Sequence, residues 1–491
     1  MSSLATIGQG DVEGFFDGGI HKFFGMPYAQ APVGTLRWRA PQPAMSWTGI
    51  RQAKAYGPAC PQTVGAVFNL QVDRQSEDCL YLNVWTMTLD PLEKQPVMVW
   101  IHGGGFLGGA GSEDATDGSC LAARGVTVVS INYRLGAFGY LAHPDFGANF
   151  GVLDQVAALR WVEENIAAFG GDPGCVTIFG QSAGAHSVRK LLTSRYAQGL
   201  FHRAILQSGG FESPAFDVAW TYARTAAASK ALVEQLGGGH PDDLRAIPTE
   251  MVKQASHQLC GVFPKPGKIT TPASLVWVPV DDEDVLRADD GLGAMATVPV
   301  LMGFTSNEAR YFLKPGQPRD EQMLETMTRV MGREQTDALL LALHALDGDL
   351  YDRVDKMFTS SIWAEPALAL ARMVSAVNPR LYQYRFDRVS PGMRRSNELA
   401  KHTAEIKYVF GNLHPSDCYD DIDRSLSTWM QDAWIEFART GAPYGMNGEP
   451  WPAYTLESEL GLSIDALSSS VRLCDDPIVR RVHALRSRIS Q

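Results

Sequence analysis

The sequence has few of the features that mark membrane-spanning, disulfide-rich or nucleic-acid-binding proteins. No stretch reaches about 18 consecutive apolar residues, so we expect no transmembrane helix. Only 7 cysteines occur in 491 residues, an odd and sparse set without the C-x-x-C spacing of metal sites. Lysine and arginine number 43 against 54 aspartates and glutamates, and the net charge of −11 argues against a nucleic-acid partner.

Signals for a cellular compartment are also scarce. The N-terminal residues show no basic segment followed by an apolar run, so we expect no signal peptide in the sequence as given. The sequence contains no Asn-x-Ser/Thr acceptor for glycosylation. These absences leave the native compartment open.

The sequence does contain short, unbroken apolar runs separated by helical patterns. Apolar residues at helical spacing predict a helix over Leu153–Phe169. Strands without polar alternation, separated by helices, predict an α/β fold with a mostly parallel sheet covered on both faces. Ligand sites in such sheets lie at the carboxyl ends of the strands. The six predicted strands are Val97–His102, Val126–Tyr133, Val176–Phe179, Ala204–Gln207, Val298–Gly303 and Leu381–Phe386.

No linker divides the chain, so we predict one domain over residues 1–491. Two regions, 211–290 and 314–378, are predicted to be insertions that cap the carboxyl ends of the strands. Large aromatic residues in or beside these regions are candidate pocket residues, although such residues are more often plain core. They are Phe263, Trp277, Tyr311, Phe312 and Trp363.

The pentapeptide Gly180-Gln181-Ser182-Ala183-Gly184 matches the pattern G-x-S-x-G. A predicted strand runs directly into it, and the helical segment Ala183–Leu192 follows. This strand–turn–helix order is that of a nucleophile elbow, in which glycines beside the serine permit a sharp turn. A glycine-rich turn with a solvated serine is the alternative, but the context favours Ser182 as a nucleophile.

A second glycine run, His102-Gly103-Gly104-Gly105-Phe106, follows the first predicted strand. Glycines let backbone N–H groups approach a developing oxyanion closely. We predict an oxyanion hole made by the N–H groups of Gly104, Gly105 and Ala183. A phosphate-binding loop is disfavoured, because no Gly-Lys-Ser/Thr follows.

The acid and base of such a site follow the serine in chain order. Glu308 lies just past the fifth predicted strand, where a carboxylate can orient an imidazole. His402 and His414 both follow the sixth strand, and spacing favours His402 only weakly. His344 and His483 lie in helical patterns typical of ordinary helix residues.

Longer motifs resemble the type-B carboxylesterase family, which includes cholinesterases, bacterial carboxylesterases and some fungal lipases. The resemblance runs from about Thr6 to about Leu485 and fades in the two insertion regions. It implies an α/β-hydrolase fold and a serine esterase that requires no metal or cofactor. The motifs are Phe24-Gly-Met-Pro-Tyr-Ala, Ser76-Glu-Asp-Cys-Leu-Tyr-Leu-Asn-Val-Trp, Asn132-Tyr-Arg-Leu-Gly, Leu206-Gln-Ser-Gly and His402-Thr-Ala-Glu-Ile-Lys-Tyr-Val-Phe-Gly.

The resemblance also implies roles for particular residues. It places the acid at Glu308 and the base at His402, and it places the oxyanion donors on the three residues already singled out. It implies a disulfide between Cys60 and Cys79, which would slightly favour a secreted or periplasmic protein. It further implies two buried structural ion pairs, Arg37 with Glu77 and Arg134 with Asp154.

Three departures from the family pattern bear on pH dependence and specificity. Gln181 stands where the family usually has glutamate, and the lost charge should alter pH dependence more than it abolishes catalysis. Ala309 stands where the family usually has glycine. The segment between the first two cysteines has no tryptophan near Asn69, so we expect that choline esters are not preferred.

The sequence therefore predicts a serine carboxylesterase that acts on small-molecule esters. A lipase is an alternative, but its would-be lid, Val64–Val72, is only moderately apolar. An amidase or carbamate hydrolase would use the same residues and stays open. A non-catalytic binding module is the alternative of another class, and the retention of Ser182, Glu308 and His402 argues against it.

Overall fold

The predicted apolar runs form the centre of one sheet of 13 strands. The computed structural model describes residues 2–63, 72, 74–211, 220–260, 275–287, 292–313, 333–344, 348–446, 450–466 and 469–489. The strands are β1 Ser2–Ile7, β2 Gly10–Asp17, β3 Ile20–Pro27, β4 Ile50–Gln52, β5 Tyr81–Thr86, β6 Gln95–Ile101, β7 Thr127–Ile131, β8 Gly171–Gln181, β9 Arg203–Gln207, β10 Val300–Thr305, β11 Leu381–Phe386, β12 Leu460–Ile464 and β13 Ser469–Arg472.

The sheet is parallel in its middle and antiparallel at both edges. Its order is β1-β2-β3-β5-β7-β6-β8-β9-β10-β11-β12-β13, with β4 beside β2. The strands from β7 to β12 in this order run parallel. This arrangement confirms the predicted α/β class. The antiparallel strands β1, β2 and β3 were not predicted, because β1 mixes serine and threonine with its apolar residues, and glycines and charged residues interrupt the apolar positions of β2 and β3.

Helices on both faces enclose two apolar cores. Along β6, Val97, Val99 and Ile101 face one core, whereas Met98 and Trp100 face the other, as the two-residue period of a strand requires. The helices are Ser119–Ala122, Gly136–Tyr140, Phe150–Asn165, Ala183–Thr193, Tyr222–Gln235, Pro241–Ala246, Thr249–Leu259, Arg333–His344, Leu350–Thr359, Glu365–Ser375, Pro391–Arg395, Ile406–Phe410, Asp421–Thr440 and Pro477–Ile489. None of those within the described ranges has the length and apolarity of a membrane span.

Both predicted insertion regions contain helices in their described parts, although 275–287 of the first region contains none. The first contains Tyr222–Gln235, Pro241–Ala246 and Thr249–Leu259, and the second contains Arg333–His344, Leu350–Thr359 and Glu365–Ser375. Apolar side chains of both regions join the larger core, among them Leu232, Trp277 and Trp363. The lid candidate Val64–Val72 lies outside the described residues except for its last residue, as do Asn69 and Phe263. The extent of the domain stays a prediction.

The two implied ion pairs form, but the implied disulfide does not. The guanidinium of Arg37 holds Glu77, and that of Arg134 holds Asp154, each through two nitrogen–oxygen contacts of 2.5 to 2.8 Å. Cys60 and Cys79 are buried together, yet both are free thiols. Burial raises the pKa of the Cys79 thiol, and such thiols pack as small apolar groups without a covalent bond. The secreted or periplasmic compartment depended on that bond and stays a prediction.

Candidate active site

The predicted nucleophile elbow lies where β8 meets the helix Ala183–Thr193. Ser182 has φ 56° and ψ −122°, a backbone conformation that residues other than glycine rarely adopt. Its N–H donates to the carbonyl of Gln207 at 2.9 Å, and its carbonyl accepts from the N–H of His186 at 3.0 Å. Two backbone hydrogen bonds therefore hold the strained serine in place, and strain of this kind concentrates at functional sites.

Glycines on either side of the serine allow the elbow to pack against the end of β6. The two strands are parallel, with Ile101 opposite Gly180. A methyl group on Gly184 would lie 2.0 Å from the carbonyl oxygen of Ile101. One on Gly180 would lie 2.5 Å from the carbonyl carbon of Gly184. Both positions therefore require glycine for steric reasons, as the pattern predicted.

The glycine loop after β6 lies against this elbow. Gly104 and Gly105 have φ 102° and 63°, which favour glycine. A Cβ atom on Gly103 would lie 3.3 Å from the Cβ of Ser182. Among the described residues, the N–H groups of Gly104, Gly105 and Ala183 have no protein acceptor. Three backbone donors are thus free on the two segments that meet at the serine.

Residues outside the motifs hold the glycine loop in place. The side chain of Gln62 makes two hydrogen bonds of 2.9 Å to the backbone of Gly109, one to the N–H and one to the carbonyl. The ring of His102 stacks on Tyr133 at 4.4 Å, and burial lowers the pKa of His102 to about 4. No sequence pattern marks Gln62, because an isolated glutamine 47 residues away from its partner matches no motif.

His402 and Glu308 form a buried pair. The Nδ1 atom of His402 lies 2.5 Å from Oε2 of Glu308, and both side chains are almost fully buried. The other carboxylate oxygen accepts from the N–H of Thr305 at 2.8 Å. Because Nδ1 carries the proton that is donated to the carboxylate, Nε2 is left as a hydrogen-bond acceptor.

The structure distinguishes His402 from the other candidate histidines by its contact with Glu308. His414 is exposed and contacts Ser416 through Nδ1 at 2.7 Å. His344 is exposed at the end of a helix, and His483 contacts Glu365 near the C-terminus at 2.9 Å. The sequence placed His402 only weakly ahead of His414, whereas the fold brings His402 alone of these four to Glu308.

Aromatic rings surround the imidazole of His402. The ring centroids of Tyr311, Phe312 and Trp363 lie 5.7, 5.2 and 5.7 Å from it. Three of the five candidate pocket aromatics therefore lie beside the histidine. Trp277 instead lies in the core, where its indole N–H donates to the carbonyl of Ser256 at 2.8 Å.

The second insertion braces the turn that carries Glu308. Asp355 Oδ2 accepts from the side chain of Asn307 at 2.7 Å and from Nε of Arg310 at 2.9 Å. The N–H of Ala309 donates to the hydroxyl of Thr359 at 3.2 Å. Sequence reasoning missed Asp355, because it is an ordinary helical carboxylate until the fold places it beside this turn.

A second carboxyl group lies behind the histidine–glutamate pair. Glu405 is fully buried, and one of its oxygens accepts from the side chain of Gln207 at 3.2 Å. Burial, and after it the charge of Glu308, raise the pKa of Glu405 to about 7. Near neutral pH this group is partly protonated, which limits the negative charge close to the pair.

A neutral imidazole lies on the nucleophile side. The ring of His186 lies 4.7 Å from that of Trp220, which in turn lies 5.8 Å from Phe106. Burial, and then the charges of Lys190 and His402, lower the pKa of His186 to about 3. No motif marked this residue, although it lies one helical turn after Ser182.

The groups gathered around Ser182 suit attack on a carbonyl carbon. They are one hydroxyl, one histidine–carboxylate pair and several free backbone N–H groups. Within the described ranges, no cluster of three or more histidine, cysteine or acidic side chains is arranged to hold a metal ion.

Comparison with known proteins decides the family. The model of the carboxylesterase family matches residues 2–475. The chain belongs to the carboxylesterase family. This carboxylesterase is 37% identical to the para-nitrobenzyl esterase of Bacillus subtilis (strain 168), with 96% of each chain aligned. It is 34% identical to the fumonisin B1 esterase of Sphingopyxis macrogoltabida, over 92% of this chain and 84% of that one.

Solved structures agree with this assignment. The carboxylesterase is similar to a PNB esterase structure with a TM-score of 0.84 and 35% identity, covering 98% of this chain and 100% of that chain. A carboxylesterase from Geobacillus stearothermophilus gives a TM-score of 0.82 at 34% identity, covering 98% and 99%. The predicted α/β-hydrolase fold, the family and the hydrolysis of carboxylic esters are thereby confirmed.

Proposed function

We propose that this carboxylesterase hydrolyses small-molecule esters through a covalent acyl intermediate on Ser182. The observation that carries the proposal is the position of the strained serine. It follows Gln181 directly, and the amide nitrogen of Gln181 lies 3.0 Å from Nε2 of the histidine that Glu308 holds. The proposed base therefore contacts the residue that directly precedes the proposed nucleophile in the chain.

In the first half of the reaction, the ester is cleaved and the alcohol leaves. His402 accepts the hydroxyl proton of Ser182 at Nε2 as the serine oxygen attacks the carbonyl carbon. The N–H groups of Gly104, Gly105 and Ala183 bind the oxyanion. The protonated imidazole then donates its proton to the leaving alcohol, and an acyl-serine remains.

In the second half, water releases the acid. His402 accepts a proton from the water molecule as its oxygen attacks the acyl-serine, and the same proton returns to Ser182. Glu308 keeps the proton of the imidazole on Nδ1 and stabilises the positive charge during both steps. Each group in this scheme is a side chain or backbone atom of the chain itself.

The aromatic surroundings support esters with an aromatic or aliphatic group as substrates. Phe312 and Trp363 stack at 5.8 Å beside the base, and rings of this kind bind apolar groups. The relative from Bacillus is named for para-nitrobenzyl esters. A lipase stays the second candidate on the sequence argument, and an amidase or carbamate hydrolase would need the same chemistry.

The decisive experiment is a hydrolysis screen of nitrophenyl esters from acetate to palmitate. We expect the native enzyme to prefer short acyl chains and Ser182→Ala to lose activity by about 10⁶-fold, the scale for loss of such a nucleophile. Ser396→Ala, which changes an exposed serine, should keep native activity.

The possible outcomes separate the alternatives. Unchanged hydrolysis by Ser182→Ala would mean that another group is the nucleophile. Activity confined to long-chain emulsions would favour the lipase, and faster turnover of nitroanilides than of the matched esters would favour the amidase.

A further inference from the structure

Gln181 holds the atom of His402 that the proposed mechanism needs. Its backbone is fixed in β8, where it pairs with Gln207 of β9. Its side chain is buried, and the amide nitrogen lies 3.0 Å from Nε2 of His402. The contact therefore lies in the reacting part of the site.

This hydrogen bond competes with the one between the serine and the histidine. Because Nδ1–H is donated to Glu308, Nε2 has a single lone pair in the plane of the ring. The amide of Gln181 takes that lone pair. Among the described residues, the hydroxyl of Ser182 has no hydrogen-bond partner. Nε2 of His402 is therefore bonded to Gln181 and not to the serine.

We propose that Gln181 is a positioning residue that occupies Nε2 of His402 in the resting enzyme and releases this atom to Ser182 when an ester binds. The inference rests on the proposed function and adds a step to it. The amide breaks one hydrogen bond to Nε2, and the hydroxyl of Ser182 forms a new one. No covalent bond changes in this step.

The charges around the imidazole show why a neutral residue at position 181 matters. The Nδ1 side faces Glu308, with Glu405 behind it. Among the described residues, His186 and Tyr311 are further titratable neighbours. The aromatic faces are those of Tyr311, Phe312 and Trp363. Among the described residues, Nε2 thus contacts an uncharged amide. The imidazolium that forms in the reaction would be paired with the carboxylate of Glu308 at Nδ1.

The first test removes the donor and keeps the length of the side chain. Gln181→Met cannot bond to Nε2, so the resting state loses the stabilisation of one ordinary hydrogen bond. We expect the second-order rate of Ser182 labelling by a fluorophosphonate, and kcat/KM for nitrophenyl acetate, to rise about fivefold. The aromatic rings and Glu308 keep the imidazole in place.

The second test adds a charge at the same position. In Gln181→Glu, a carboxylate lies next to Nε2 and stabilises the protonated ring. The acid limb of the pH profile of kcat/KM should therefore move to higher pH by about one unit. A merely structural role would not shift this limb, and Gln181→Met should leave it in place.

A matched control separates these effects from the loss of any buried glutamine. Gln431 is 5% exposed and bonds to the Ser427 carbonyl at 3.1 Å, remote in the chain from the elbow. Gln431→Met should change neither the labelling rate nor the pH profile. Thermal unfolding by circular dichroism checks that each variant is folded.

Two results would overturn the assignment. Labelling of folded Gln181→Met at the native rate or more slowly means that the amide does not compete for Nε2. An unmoved acid limb in folded Gln181→Glu means that position 181 does not act on the base. A native enzyme that is never labelled would instead overturn the proposed function itself, and this step with it.

Discussion

The two halves of the proposed active site are held together by different forces. The nucleophile half consists of the elbow and the glycine loop, and backbone packing fixes it: the carbonyl of Ile101 would lie 2.0 Å from a Cβ on Gly184. The base half consists of Glu308 and His402, which are 94 residues apart and are joined by buried polar bonds. An added atom in the first half displaces the backbone, whereas the loss of a member of the polar network in the second half changes charge and hydrogen bonding.

The two halves also differ in whether residues next to the reacting group determine their geometry. Gly180 and Gly184 are within two residues of Ser182, and β6 supplies the surface against which they pack. The turn that carries Glu308 depends on Asp355 of the second insertion, more than 40 residues later. We therefore expect substitutions in the first half to act through geometry and those in the second half through stability and charge.

Gly184→Ala should have the largest effect. The added methyl group overlaps the carbonyl of Ile101, so β6 and the elbow must move apart. A displacement of about 1 Å at a reacting group lowers kcat by about 100-fold, and forced overpacking costs about 1–3 kcal/mol of stability. Steady-state kinetics and thermal unfolding measure the two effects.

Gly174→Ala serves as the control in the same strand. There the nearest atom to an added Cβ is a side-chain oxygen of Asp172 at 3.2 Å, which can move aside. Native kcat in both variants would show that the elbow is not fixed by backbone packing.

Asp355→Asn should act on the base half with an intermediate effect. The change weakens the bonds to Asn307 and Arg310 and leaves the buried guanidinium less compensated. Charge-assisted hydrogen bonds of this kind contribute about 1.5–3 kcal/mol, so we expect a stability loss of that size. We expect kcat to fall about tenfold. The turn that carries Glu308 is held less firmly by Asn307 and Arg310, while the bond of Glu308 to His402 remains. Urea unfolding and kinetics measure both effects.

Asp352→Asn is the matched comparison. Asp352 binds the same guanidinium from a side chain that is 43% exposed, so its loss should cost under about 1 kcal/mol. Equal losses in the two variants would mean that burial of Asp355 does not decide its contribution.

Glu405→Gln should have the smallest effect on activity and a measurable effect on how stability depends on pH. Burial raises the pKa of Glu405 from its ordinary value of 4.5 to about 7. Between these values the folded chain keeps a proton that the unfolded chain releases, so this group's contribution to stability is lost as pH rises. Relative to the native enzyme, the variant should therefore gain about 2–3 kcal/mol between pH 4.5 and pH 8.

Urea unfolding at the two pH values checks this expectation. Glu398→Gln, at a side chain that is 44% exposed, should show no such gain. A difference between Glu405→Gln and the native enzyme that is constant with pH would mean that Glu405 titrates normally in the folded state.

The sequence predicted those parts of the molecule whose physics is local. Unbroken apolar runs mark strands that are buried on both faces, and glycines beside a serine mark a turn that only glycine can form. The six central strands, the elbow and the glycine loop were recognisable on these grounds. The edge strands β1, β2 and β3 were not, because their pattern is mixed. The Cys60–Cys79 disulfide implied by resemblance is not shown by the structure, in which both thiols are free.

Only the tertiary structure decided which distant polar groups meet. Spacing left His402 and His414 nearly equal, and the choice follows from the contact of β10 with β11 and the bridge between Asn307 and Lys401. Gln62 and Asp355 became supports only through long-range contacts. The sequence alone does not show which partner a polar side chain will have. Burial selects the partner, because a buried polar group without a hydrogen bond lowers the stability of the fold.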